Sequence, residues 1–139
     1  AGDVPGVRRF LAGDAAPSER FRFPVSIVLA AGQSEKLRNI RLVMAPEIVA
    51  LQCGKFLKKR NFKVAYRGSQ SSSSVFKKFV QLGEKAASGK AVLGSAAAAK
   101  LYGLKILARN IQDEARNWTE FAIITKSRKE DKKMRKFRK

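Results

Sequence analysis

A chain of 139 residues, 45% of them apolar, is long enough to bury one hydrophobic core of ordinary size. Its 30 Lys and Arg against 11 Asp and Glu give a net charge of +19, a self-repulsion that a polyanionic partner ordinarily offsets. With no histidine, one cysteine and no apolar run near ~20 residues, these residues exclude His-based catalysis, His metal sites, an internal disulfide and a transmembrane helix.

Residues 1–20 (AGDVPGVRRFLAGDAAPSER) are rich in Gly, Ala and Pro, and an extended arm is expected through residue 22. The first residue is Ala rather than Met and no secretory signal follows, an opening that suits a product trimmed on import into an organelle. Phe23 to Ala30 (FPVSIVLA) has the apolar density of a strand, with Pro24 at its start or on an edge. Gly32 to Lys36 reads as a turn and Ile40 to Met44 (IRLVM) as a second strand. Pro46 and Glu47 suit the first turn of a helix. Ile48, Val49, Cys53, Phe56 and Leu57 then recur at helical spacing to about Lys59, which makes Cys53 core filler rather than a nucleophile.

Phe62 to Tyr66 (FKVAY) predicts a strand. The turn-rich GSQSSSS of residues 68–74 ends in serines suited to capping a helix whose apolar side is Val75, Phe76, Phe79, Val80 and Leu82. Gly83 to Lys90 is expected to be a loop. Ala91 to Leu93 is a short strand, Ser95 caps a helix from Ala96 to Leu101, and Gly103 takes the left-handed turn that ends it. Leu104, Ile106 and Leu107 form a strand, and Phe121 to Ile124 form another. Short buried strands alternating with helices imply an α/β layered domain over residues 23–125. Residues 126–139 (KSRKEDKKMRKFRK) carry +7 of the +19, so this basic tail does not account for the charge by itself.

Four stretches in fixed order carry a resemblance: Ala91-Val92-Leu93-Gly94-Ser95, Leu101-Tyr102-Gly103-Leu104, Ile111-Gln112-Asp113 and Asn117-Trp118-Thr119-Glu120-Phe121. They are similar to the end of the prephenate dehydratase catalytic domain, which reads Ala-Ile-Ala-Ser, Tyr-Gly-Leu, Ile-x-Asp and Asn-x-Thr-Arg-Phe. Pro46, Leu51 (in the family's slot or one beyond it), Gln52 and Cys53 resemble that family's His-Pro-x-x-Leu-x-Gln-Cys segment, with Ala45 in place of the histidine. Ser71 to Ser74 occupy the place of its Ser/Thr-Thr-Ala motif. The resemblance covers residues 24–125. It implies one lobe, the second, of a periplasmic-binding-protein-like fold: a mixed, mostly parallel sheet with helices on both faces. The first lobe is expected to be lost.

The resemblance ties Thr119 to catalysis and the following arginine to a substrate carboxylate, but that position is Glu120. Two unit charges ~4 Å apart interact by ~4 kcal/mol at an effective dielectric near ~20, so the sign reversal is expected to remove substrate binding. A pseudoenzyme follows, with Thr119 and Ser73 as relics, no small-molecule substrate, no cofactor and no metal.

The basic residues then set the expected function. Lys132, Lys133, Arg135, Lys136, Arg138 and Lys139 are the first candidates for phosphate contacts, and Arg8, Arg9, Lys58, Lys59 and Arg60 the second. Further cations cluster at Lys77, Lys78, Lys85 and Lys90 and at Lys100, Lys105, Arg109 and Arg116. Without the pattern of an RNA-recognition motif, a KH domain or a helix-turn-helix, the contacts expected are to backbone phosphate. The expected role is a structural constituent of an organellar ribosome, mitochondrial ahead of plastid, contacting ribosomal RNA and neighbouring ribosomal proteins. The alternatives are a prephenate or arogenate dehydratase fragment completed by a partner chain, and a membrane-surface adaptor.

Overall fold

The computed structural model describes residues 15–66 and 71–126. They belong to two units, a two-stranded ribbon that ends at Pro24 and resumes at Trp118, and a five-stranded sheet domain over Val25–Asn117.

The ribbon pairs β1 (Ala15–Pro24) antiparallel with β7 (Trp118–Lys126), and a register shift between Pro17 and Glu19 marks a bulge. Arg20-Phe21-Arg22-Phe23 alternates with the period of a strand, so successive side chains take opposite faces. Phe21 lies opposite Phe121 and Phe23 opposite Thr119 on one face; Arg22 lies opposite Glu120 on the other. The rings of Phe21 and Phe121 stack with centroids 5.6 Å apart. The end of the expected arm is therefore a paired strand, and the strand expected over 23–30 breaks at Pro24. Residues 1–14 and 127–139, which hold the rest of the arm and nearly all of the tail, lie outside the described residues.

In the sheet domain β2 (Val28–Ala31), β3 (Leu42–Ala45), β4 (Lys63–Tyr66), β5 (Lys90–Gly94) and β6 (Lys105–Ala108) lie in the order β4-β3-β5-β2-β6. β3 runs parallel to β4 and β5, whereas β2 runs antiparallel to β5 and β6. Four strands thus share one direction, but with β2 reversed inside the sheet the ladders divide evenly between parallel and antiparallel. The sheet is mixed, as expected. All four residues of β2 are buried, which explains its unbroken apolar run.

Helices cover both faces. Ile27, Leu29, Ala31, Val43 and Leu93 pack with Ala50 of α1 (Glu47–Leu51) and with Cys53 and Leu57, the latter on α2 (Gly54–Lys59). On the other face Val28, Ala30, Met44 and Val92 pack against Val75, Phe76 and Phe79 of α3 (Ser72–Gln81) and Ala99 of α5 (Ala96–Leu101). Alternate residues of each strand serve opposite cores.

The single helix expected over 46–59 is interrupted. Cys53 leaves helical geometry at φ −120°, ψ 21°, just before Gly54, and α2 starts afresh. A distant loop satisfies the backbone groups freed there: Asp113 N donates to Gln52 O at 2.7 Å, and the Asp113 carboxylate accepts from Lys55 N at 3.0 and 3.2 Å. The break also rotates α1, so Ala50 faces the core and Ile48, an expected core residue, is 64% exposed. The loop expected at 83–90 contains a short helix, α4 (Gly83–Ala87), entered through Gly83 at φ +73°. Around α5 the expectation holds throughout: Ser95 Oγ accepts from Ala98 N at 3.1 Å, and Gly103 sits at φ +65°.

Cys53 is fully buried, and burial first, then the Asp113 carboxylate, pushes its thiol from 9.0 up to about 12. An unfolded chain loses this proton near pH 9 while the native chain keeps it. The stabilisation is therefore whole below pH 9 and is lost as pH rises toward 12. Above pH 9 the stability of the natural chain relative to Cys53→Ala is expected to fall by ~1.4 kcal/mol per pH unit, read from urea midpoints. A pH-independent difference would refute the burial argument.

Candidate functional site

Segments that the sequence singled out fall in both units. In the sheet domain α1, α3 and α5 follow the C-terminal ends of β3, β4 and β5. Ser71, the first described serine of its run rather than one of the last, caps α3 by accepting from Ser74 N at 3.3 Å. Ser73 Oγ lies 3.0 Å from Ser71 Oγ, and Ser74 Oγ donates to Ser71 O at 2.8 Å. These hydroxyls serve the helix start. At the same end of the sheet Gln112 Oε1 accepts from Ile27 N at 3.1 Å, and Ile111 is buried. Each residue of Ile111-Gln112-Asp113 therefore has a structural task, and Asp113 caps the start of α2.

In the ribbon, Thr119 is half-buried opposite Phe23. Glu120 is held by its own ribbon: Arg20 Nη1 donates to Oε1 at 3.2 Å and Arg22 Nε to Oε2 at 3.4 Å. The register that puts Arg22 opposite Glu120 pairs the reversed charge with two cations of β1. Glu120→Arg would place like charges face to face. It is expected to weaken the ribbon by up to about 1 kcal/mol, measured as faster hydrogen exchange of β1 and β7 amides. Unchanged exchange would show that the exposed pairs contribute nothing.

Lys58, Lys59 and Arg60 are exposed at the end of α2, with the Arg60 guanidinium 5.9 Å from the centre of the Phe56 ring. Arg8, Arg9, Lys132, Lys133, Arg135, Lys136, Arg138 and Lys139 lie outside the described residues. An open groove of about 520 Å³ runs beside α5 and β6, lined by Ala96, Ala97, Lys100, Leu104, Ile106 and Arg109. Among the described residues no cluster of His, Cys, Asp and Glu is fit to hold a metal, and no helix is long and apolar enough to cross a membrane.

Residues 5–129 match the model of one family, prephenate dehydratase. The chain belongs to the prephenate dehydratase family. The bifunctional chorismate mutase/prephenate dehydratase of Buchnera aphidicola is 31% identical over 99 residues, 70% of this chain and 24% of the relative. Its Aquifex aeolicus counterpart is 30% identical over 117 residues, 84% of this chain and 31% of the relative. The chain thus spans 24% and 31% of the lengths of these two curated relatives. Among solved structures, the prephenate dehydratase of Staphylococcus aureus superposes with a TM-score of 0.73 at 19% identity, covering 91% of this chain and 47% of that one. That of Arthrobacter aurescens, in complex with L-Phe, gives 0.71 at 20% identity over 86% of this chain and 41% of that one. The quorum-quenching acylase GqqA gives 0.75 at 22% identity over 91% and 44%. These likenesses show the α/β fold of prephenate dehydratases.

Proposed function

We propose that this member of the prephenate dehydratase family is catalytically inactive and serves as an RNA-binding structural protein of an organellar ribosome, mitochondrial ahead of plastid. The observation that carries this reading is the charge: +19 overall, while among the described residues no cation of the sheet domain has a carboxylate partner. Unpaired cations repel one another, and backbone phosphate relieves that repulsion by releasing its own counterions on contact. Glu120 supports the loss of activity, because the position that the resemblance assigns to a substrate-binding cation carries an anion already engaged by Arg20 and Arg22. In sedimentation of a mitochondrial extract the native protein is expected with the ribosome, and to leave it on RNA digestion. Migration as a free protein, apart from the ribosome, would overturn the reading.

The second reading is a dehydratase completed by residues from elsewhere, favoured by the family match over residues 5–129 and by the Thr119 position. The two separate cleanly. Incubation with prephenate, alone and with candidate partner chains, is expected to yield no phenylpyruvate on the first reading. Turnover abolished by Thr119→Ala would establish the second.

A further inference from the structure

The four co-directional strands of the sheet each begin on or just after a cation. β4 begins at Lys63, β5 at Lys90 and β6 at Lys105, while Arg41 immediately precedes β3. Nothing local requires this; the common strand direction gathers the four onto one edge of the sheet. The chain returns from the opposite end through α2, which delivers Lys58 and Lys59 in its last turn beside β4, where a helix dipole favours positive charge. Lys36 and Arg38 flank the turn that follows β2 at the same edge.

The edge is also firmly built. Buried Glu35 accepts from Gly89 N at 3.1 Å, and Gly89 O accepts from Arg41 N at 2.8 Å, tying the start of β3 to the start of β5. Lys90 Nζ donates to Ala86 O at 2.6 Å, Lys105 Nζ to Gln33 O at 2.9 Å and Arg41 Nη1 to Arg38 O at 2.8 Å. Lys90 and Lys105 are each pinned through one hydrogen bond, and Arg41 Nη1 also donates to Ile40 O at 3.0 Å; each cation keeps further donors for a ligand. Apart from Glu35, whose carboxylate is turned inward, the acid here is Glu84 on α4; Glu47, Asp113 and Glu114 lie toward the opposite end of the sheet.

We propose that this edge, formed by the N-terminal ends of β3, β4, β5 and β6, is a docking surface for the phosphate backbone of a nucleic-acid helix. The proposal rests on the nucleic-acid reading above and names its surface. Four strand spacings of ~4.8 Å make an edge of ~19 Å. A duplex carries one charge per ~1.7 Å of axis with both strands counted, so about eleven phosphates lie within that length and those on the facing side meet the edge. A rigid row of cations suits a rigid row of anions, and no base-reading element is needed.

The test uses the full 139-residue chain and fluorescence anisotropy against a 20-bp RNA duplex and the matching DNA duplex over a KCl series. One variant combines Lys36→Gln, Lys58→Gln, Lys59→Gln and Lys63→Gln at the edge. A control combines Lys55→Gln, Lys77→Gln, Lys78→Gln and Arg109→Gln elsewhere. Both remove the same charge, and Lys36, Lys58, Lys59 and Lys63, unlike Lys90 and Lys105, make no side-chain hydrogen bond or ion pair among the described residues. At ~0.9 of log–log slope per neutralised phosphate, the edge variant is expected to lose about 3 to 4 units of slope and the control less than about 1. The tighter of the two duplexes identifies the nucleic acid. Equal losses from both variants, or phosphatidylserine vesicles binding more tightly than either duplex, would overturn the docking surface. A flat slope for the natural chain would instead remove the nucleic-acid reading itself.

Discussion

Phe76→Ala is expected to cost about 3–5 kcal/mol of stability. Phe76 is fully buried on α3, with its ring centre 5.9 Å from that of Tyr102, and it lies in the core shared by Val28, Met44, Val92 and Ala99. Removing the ring takes away its transfer free energy and leaves a hole that the surrounding strands, fixed by ladder hydrogen bonds, fill only in part. At about 4–8 °C for each kcal/mol in a domain of this size, the melting temperature should fall by more than ~12 °C. A loss below about 1 kcal/mol in chemical denaturation would mean that α3 is not packed on the sheet as described.

Gly94→Ala probes the same contact from the other side. A Cβ on Gly94 would clash with Phe76 Cε2 and meet Cζ at 3.0 Å, closer than side chains tolerate. The glycine is required by space, since the ring lies directly over the backbone at the end of β5. Phe76 is fully buried, stacked on Tyr102 and packed in the core on this face of the sheet, so its ring gives way only by displacing neighbours. Overpacking of this kind costs about 1–3 kcal/mol, occasionally more. In a Phe76→Leu background the added methyl meets a smaller side chain, so Gly94→Ala should cost much less there than in the natural chain. Additive losses in the double-mutant cycle would show that the methyl is rejected by something other than the ring.

Most of the sheet domain is legible in the sequence because its signals are local. The α5 helix is written in Ser95, an alanine run and Gly103, and hydrogen bonds spanning three or four residues carry it out. The cores on the two faces follow from alternation along short apolar strands. The break at Cys53 is less visible, since helical periodicity continues through it, and its stabilising partner Asp113 is 58 residues away from Lys55. The ribbon is half legible: Arg20-Phe21-Arg22-Phe23 has a strand's period, yet nothing local to it names β7 as its partner.

By itself the sequence determined the family motifs, most of the short apolar strands and helices, and a charge of +19. Tertiary structure alone decided where that charge stands and what the reversed residue does. Strand direction assembles Arg41, Lys63, Lys90 and Lys105 on one edge, and strand register gives Glu120 two arginines about a hundred residues earlier in the chain. Both outcomes depend on pairing between segments far apart in the chain, whose backbone groups find one another only once the buried faces have chosen their register.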